Sequence, residues 1–192
     1  MSVKYNVFII KMEVRNILEN IAVVNSYDEI IGYKEKMMVH KEGILHRAFS
    51  VLLFNSKNEM LLQRRSFSKY HSPGEWTNAC CSHQRENETI KEAAIRRVYE
   101  ELRINDAVLE EEFIFHYKCQ FENELWENEI DHVFIGIYDK DVEFFNIDEV
   151  HEVRWIPVSE LLKLIEEKPE EFTYWFKVLI KKAKELKKLC NN

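Results

Sequence analysis

Only four glycines and three prolines punctuate the 192 residues, so the chain has few places to turn sharply and its connections must be short. A flexible boundary between two domains is therefore hard to place. No repeat or low-complexity tract occurs, and the length suits one domain with additions. With 46% hydrophobic and 12% aromatic residues, that domain can bury one sizeable core, which argues against a disordered chain.

Charge and cysteine usage narrow the function classes. Lys and Arg total 27 against 34 Asp and Glu, a formal net charge of −7. No global basic field draws such a chain to nucleic acid or membrane, so any anionic ligand must be caught by local cations. Cys80, Cys81, Cys119 and Cys190 include an adjacent pair that can hardly be bridged, and they fit no secreted disulfide framework. The apolar run near the start, within VKYNVFIIK at residues 3–11, lacks a small-residue cleavage site, and nowhere do about 18 apolar residues run together. The expectation is a soluble, cytoplasmic protein.

Hydrophobic spacing then outlines the elements. Residues 19–25 (ENIAVVN) read as a strand, followed by a turn at 26–29 and a short apolar stretch at Ile30 and Ile31. Residues 46–54 and 60–63 flank Asn55, Ser56, Lys57 and Asn58, whose Asn and Ser side chains can bond their own backbone, so a hairpin is expected. Ile90, Ala93, Ala94, Val98 and Leu102 recur at helical spacing within residues 88–104, with Asn87 as the expected cap. Residues 113–121, 127–138 and 152–156 read as strands and 159–166 as a helix. Pro169 suits the first turn of a last helix reaching roughly Leu189, whose lysines complement the helix dipole. Strands around a central helix and closed by further helices predict an α/β or α+β sandwich.

Two constellations carry chemistry. Glu127 and Glu129, at i and i+2 of an extended segment, point to one face. An isolated pair of this kind is usually a solvated acidic hairpin, because two adjacent carboxylates repel unless a cation or proton holds them. His40, His46 and His83 change that reading: three imidazoles and two carboxylates suit one divalent cation such as Mn²⁺, Zn²⁺ or Mg²⁺. His71, His116, His132 and His151 are read as ordinary histidines. The stretch from Trp76 to His83 places a thiol two residues from an imidazole. Alternation makes Cys80 a small buried hydrophobe and puts Cys81 beside Ala79 and His83, where positive charge is expected to lower the thiol pKa. Lys36, Arg64, Arg65, Lys69, Arg96 and Arg97 are ordinarily surface residues, but a convergent set of them beside a metal is what a diphosphate needs. Glu101, one turn after Arg97, is placed to hold a second cation against it.

Over residues 19–176 the chain resembles the type I isopentenyl-diphosphate isomerases, a branch of the Nudix superfamily. The resemblance rests on LHRAFS at 45–50, QRRSFSK at 63–69, the segment from Trp76 to His83, AIRR at 94–97 with EEL at 100–102, and Glu127-Asn128-Glu129. It implies a Nudix-type mixed sheet flanked by helices in a single domain over 19–192, with residues 1–18 as an extension and Met12 as an alternative start. It further implies that His40, His46, His83, Glu127 and Glu129 bind one divalent metal. Glu101 would bind Mg²⁺ with a substrate diphosphate held by Lys36, Arg65, Lys69 and Arg97. Cys81 and Glu129 match the acid/base pair, Tyr117 a tyrosine assisting Glu129, and Trp175 an aromatic over the reacting carbons. The implied activity is interconversion of isopentenyl and dimethylallyl diphosphates.

The Nudix signature maps onto Ser82, Glu88, Arg96, Arg97, Val98, Glu100, Glu101, Arg103 and Ile104. Ser82 and Arg103 replace its two glycines, and Arg97 replaces the glutamate after the first arginine. Exchanging a carboxylate for a cation weakens the alternative of a Nudix pyrophosphohydrolase. A non-catalytic metal- or phosphate-binding domain is a third reading, against which the pairing of Cys81 with Glu129 argues.

Overall fold

The computed structural model describes residues 19–121 and 123–186. The expected extension at 1–18, Met12, Cys190 and the far end of the last helix lie outside them. Along the chain come β1 (Asn20–Val24), β2 (Ile30–Glu35), α1 (Lys36–Glu42), β3 (His46–Phe54), β4 (Glu59–Arg65), β5 (Trp76–Asn78) and β6 (Cys80–His83). They are followed by α2 (Ile90–Leu102), β7 (Val108–Gln120), β8 (Trp126–Ile137), β9 (Val150–Pro157), α3 (Val158–Glu167) and α4 (Tyr174–Glu185).

β3 is the axis of a mixed sheet. It runs parallel to β8 from His46 opposite Glu129 to Phe54 opposite Ile137. Its other partners are antiparallel: β1 at Val23, β6 along Ala48 to Val51, and β4 at Phe54. A strand walled in on both faces needs apolar residues at nearly every position, and HRAFSVLLF supplies them. Phe49, Val51 and Leu53 pack beneath Ala93, Ala94, Val98 and Leu102 of α2. Leu52 joins Leu161 of α3 and Phe176, Leu179 and Ile180 of α4 on the opposite face. Helices thus cover both sides of the sheet, as the α+β sandwich expectation requires. Each fully buried Val, Leu, Ile or Phe among these contributes roughly 1.5–3 kcal/mol.

The 46–54/60–63 hairpin forms as expected, and Asn55 Oδ1 accepts from the amides of Lys57 and Glu59, both at 3.0 Å. Elsewhere the boundaries shift for local reasons. α2 starts at Ile90, so its cap is Thr89 in a capping box with Glu92, and Asn87 instead takes a left-handed turn position at φ 65°. Pro169 opens a separate 3₁₀ turn, Pro169–Glu171, and α4 begins only at Tyr174. β7 starts five residues before the expected Phe113, because a register shift between Glu111 and Phe113 interrupts the alternation that marks a strand. α1 is unanticipated: its cap is Glu35, whose carboxylate accepts from Met37 and Met38 amides, and Gly43 ends it at φ 62°. The chain bends at Ala79, between β5 and β6, so Ala79 packs with Cys80 under α2 and not beside Cys81 as alternation alone predicts. Among the described residues, no helix is long and apolar enough to cross a membrane.

Candidate active site and metal centre

The strand register assembles the centre. Glu129 on β8 lies between His46 on β3 and Tyr117 on β7, while Ala48 pairs with His83 and Ser50 with Cys81 on β6. α1 delivers His40. The five side chains His40, His46, His83, Glu127 and Glu129 are all buried, and one nitrogen or oxygen from each falls within 4.8 Å of all the others.

The histidines are pre-oriented. His40 Nδ1 lies 2.7 Å from the Lys36 carbonyl and His46 Nδ1 lies 2.8 Å from the Ile44 carbonyl. A carbonyl only accepts, so the protons sit on Nδ1 and each Nε2 presents a lone pair to the cluster. His83 Nε2 is 3.0 Å and His46 Nε2 3.2 Å from Glu129 Oε1. His40 Nε2 and Glu127 Oε2 are buried with no hydrogen-bond partner among the described residues, although only 3.3 Å apart. Orphaned acceptors of this kind are costly unless something positive lies between them. Imidazole nitrogens and carboxylate oxygens in this number fit a divalent cation. By themselves the side chains share the strain unequally. Burial, then the neighbouring Glu129 charge, holds the Glu127 carboxyl well above the usual range; in that state, though burial acts the other way, the His46 and His83 rings turn N–H groups to Glu129 instead and hold it well below that range. Burial pulls His40 down to about 4 and His83 to about 3.

Next to the cluster is a pocket of about 40 Å³, lined among others by Cys81, Tyr117, Glu129 and Trp175. Tyr117 Oη donates to Glu129 Oε2 at 2.6 Å. Trp175 Nε1 donates to Thr77 Oγ1 at 3.0 Å, which fixes the plane of the indole. Cys80 is fully buried away from this pocket, as expected, and Cys81 reaches it. The expected lowering of the Cys81 thiol is not found. Burial pushes it up to about 12, against a weaker pull from Arg65, so the thiol keeps its proton.

A second cavity, of about 70 Å³, meets the first at Cys81, Ser82 and His83. Lys36, Arg65, Lys69 and Arg97 all line it, as does Glu101. Arg97 bonds Glu101 Oε1 at 2.5 Å and Gln63 Nε2 bonds Oε2 at 2.7 Å. Each of those oxygens retains a further lone pair for a cation. Arg64 points elsewhere, over the rings of Phe67 and Trp76, and Arg96 pairs with Glu88 and Glu100.

Sequence reasoning overlooks three neighbours. Gln63 shares a strand face with Arg65, a signal that spacing along β4 offers. His71 packs between Tyr70 and Trp175, with ring centroids at 4.4 and 5.5 Å, and is pulled down to about 2 by burial and then by Arg65. Glu149 pairs with Lys69 and Arg97. Both His71 and Glu149 stand in loops, where no periodicity marks a facing side chain.

A family model described as the NUDIX domain matches residues 44–176. The fold agrees: a Deinococcus radiodurans protein, DR0079, superposes with a TM-score of 0.71 at 22% identity, covering 85% of this chain and 98% of that one. A MutT protein from Methanosarcina mazei gives 0.60 at 24%, covering 75% and 96%. The chain is a Nudix-family protein with helices on both faces of its sheet. The "Isopentenyl-diphosphate Delta-isomerase 2" of Photorhabdus laumondii is 43% identical over 162 residues, 84% of this chain and 90% of the relative. The corresponding isomerase of Burkholderia multivorans is 41% identical over 171 residues, covering 86% and 93%. Within the Nudix proteins, the chain belongs to the isopentenyl-diphosphate isomerase family and is an enzyme.

Proposed function

We propose that this enzyme interconverts isopentenyl diphosphate and dimethylallyl diphosphate, adding a proton at C4 and removing one from C2 in the forward direction. The supporting observation is the pocket itself: Cys81 and Glu129 enter it from strands on opposite edges of β3. A double bond that moves through a carbocation-like state needs one proton donor and one acceptor on different sides of a flat substrate.

In this reading Lys36, Arg65, Lys69 and Arg97 bind the diphosphate in the cation-lined cavity, which leaves the five-carbon tail in the adjoining pocket. Tyr117 Oη and Glu129 Oε2 hold the proton destined for C4, and Cys81 Sγ takes the proton from C2. The return reaction reverses these roles, and the protonated thiol beside an anionic Glu129 is the state from which it starts. Trp175, its plane set by Thr77, turns a π face to the developing cation, worth on the order of 2 kcal/mol when water is excluded. His40, His46, His83, Glu127 and Glu129 would hold one divalent cation, Mn²⁺, Zn²⁺ or Mg²⁺, and Glu101 would hold Mg²⁺ with the diphosphate. When bound, these cations offset the charge of the carboxylate pair and of the substrate.

The test supplies isopentenyl diphosphate with Mg²⁺ and monitors both dimethylallyl diphosphate and free phosphate. The reading expects the allylic product and no phosphate. Release of phosphate or nucleotide from nucleoside diphosphate derivatives, without isomerisation, would return the chain to hydrolase chemistry.

A further inference from the structure

Glu149 is a carboxylate inside a cavity whose other charged walls are mostly cationic. Its side chain joins two cations from distant parts of the chain: Lys69 Nζ, and Arg97 Nη2 at 3.2 Å. Its backbone is tied to the same two regions. The Glu149 carbonyl accepts from Ser66 at 2.9 Å, and the Ser66 carbonyl in turn accepts from Lys69 at 3.2 Å. The turn leading to Glu149 is pinned to the end of α2, where Asn146 N donates to the Glu101 carbonyl at 2.8 Å, and Glu149 N closes that turn onto Asn146 O at 3.0 Å. Three segments therefore meet at one residue: the loop bearing Lys69, the helix bearing Arg97 and Glu101, and the turn before β9.

Two physical consequences follow. Lys69 and Arg97 carry long side chains whose free rotamers cost entropy to order, and a shared carboxylate fixes both before a ligand arrives. Arg97 Nε is also buried without a partner among the described residues, so the guanidinium is not satisfied by Glu100, Glu101 and Glu149 together. A buried donor held in place but unpaired is placed for an acceptor that comes with the ligand.

We infer that Glu149 is a positioning residue for the diphosphate: it aligns Lys69 and Arg97 as one anion-binding fork and does not itself touch the reacting carbons. This inference deepens the proposed function, on which its substrate rests. The carboxylate stays ionised in this role. Burial acts to raise it, but Arg97 and Lys69 outweigh burial and hold it below the usual carboxylate range.

The test has two readouts on Glu149→Gln and on Glu149→Ala, with Glu152→Gln, a half-buried carboxylate on β9 that pairs with Arg64 and Arg154, as the control. Calorimetric titration with inorganic pyrophosphate and Mg²⁺ needs no turnover. Glu149→Gln is expected to weaken that binding about tenfold, the effect of losing one charge-assisted alignment. For isopentenyl diphosphate, KM is expected to rise by about the same factor while kcat stays within about threefold. Unchanged or tighter pyrophosphate binding in Glu149→Gln would show the carboxylate to be a mere competitor for the cations and would overturn the inference. A kcat loss as large as the KM rise would do so too, as would a wild-type protein that binds no pyrophosphate. If wild-type protein binds pyrophosphate, and Glu149→Gln weakens it, but isopentenyl diphosphate is not converted, the fork stands and the isomerase reading fails. Circular dichroism on each variant separates weakened binding from unfolding.

Discussion

Tyr117 and Glu129 stand opposite each other in the β7–β8 register, and the phenol donates a 2.6 Å hydrogen bond to the carboxylate. Burial, and then the Glu129 charge, push the phenol well above its ordinary range. The proton therefore stays on the tyrosine oxygen until something more basic is formed beside it. Tyr117→Phe keeps the ring and removes the donor. It is expected to lower kcat by about 10- to 100-fold, below the upper part of the roughly 10²- to 10⁴-fold range of a general acid, with bound metal unchanged by elemental analysis.

The two adjacent thiols should behave differently. Cys81→Ala is expected to lower turnover by about 10³-fold. Cys80→Ala should leave turnover nearly intact and cost about 1 kcal/mol of stability, because Cys80 is packed in the apolar layer under α2. Steady-state assays with urea unfolding check both, and equal losses of turnover would mean that the wrong thiol has been assigned.

Glu19 ties the start of β1 to Lys36 and Arg85, at 3.3 and 2.8 Å. Burial tends to raise its carboxyl, but Lys36 and Arg85 carry it from an ordinary 4.5 to about 2. The folded form thus binds a proton less readily than the unfolded chain. Its stabilising contribution is complete above about pH 4.5 and is lost as pH falls toward about 2. Glu19→Gln should accordingly destabilise the protein at pH 7 and by progressively less at pH 4 and pH 3. Urea unfolding of both proteins across that range measures it, and a constant difference would contradict the assignment.

Arg103 closes α2 in the left-handed region at φ 58°, where its amide bonds the Tyr99 carbonyl. A side chain costs roughly 1–2 kcal/mol in that conformation, which is why glycine is the usual residue there. The Arg103 guanidinium lies 5.7 Å from the Tyr99 ring, an exposed contact worth only about 0.5 kcal/mol. Arg103→Gly is therefore expected to raise stability by about 0.5–1 kcal/mol, an upward shift of about 1–4 °C in Tm. A fall in Tm would show that the guanidinium contact outweighs backbone strain.

Much of the site is legible in the sequence because strands translate alternation into facing side chains. Glu127 and Glu129 share a face, and Cys80 and Cys81 separate onto opposite faces, for that reason alone. The convergence of His40 with them is not derivable in this way, since α1 carries no Ser, Thr, Asn or Asp cap signal and Glu35 caps it from the end of a strand. The bend at Ala79 shows the limit within an extended segment: one irregular residue moves a side chain to the other face. Glu149 and His71 are invisible to periodicity because turns place them, and those turns are set by backbone bonds to residues far away in the chain. The Cys81 thiol is misjudged for a different reason. Spacing shows the neighbouring charges but not the burial, and burial is the larger effect.

The most direct test of two opposed proton-transfer groups is to convert isopentenyl diphosphate in D₂O with Mg²⁺ and follow the product by NMR. The expected product is dimethylallyl diphosphate carrying deuterium in a methyl group, because the proton added at C4 comes from an exchangeable group of the enzyme. Dimethylallyl diphosphate formed without deuterium would mean that hydrogen passes directly between the two carbons, and Glu129, Tyr117 and Cys81 would lose the roles assigned to them.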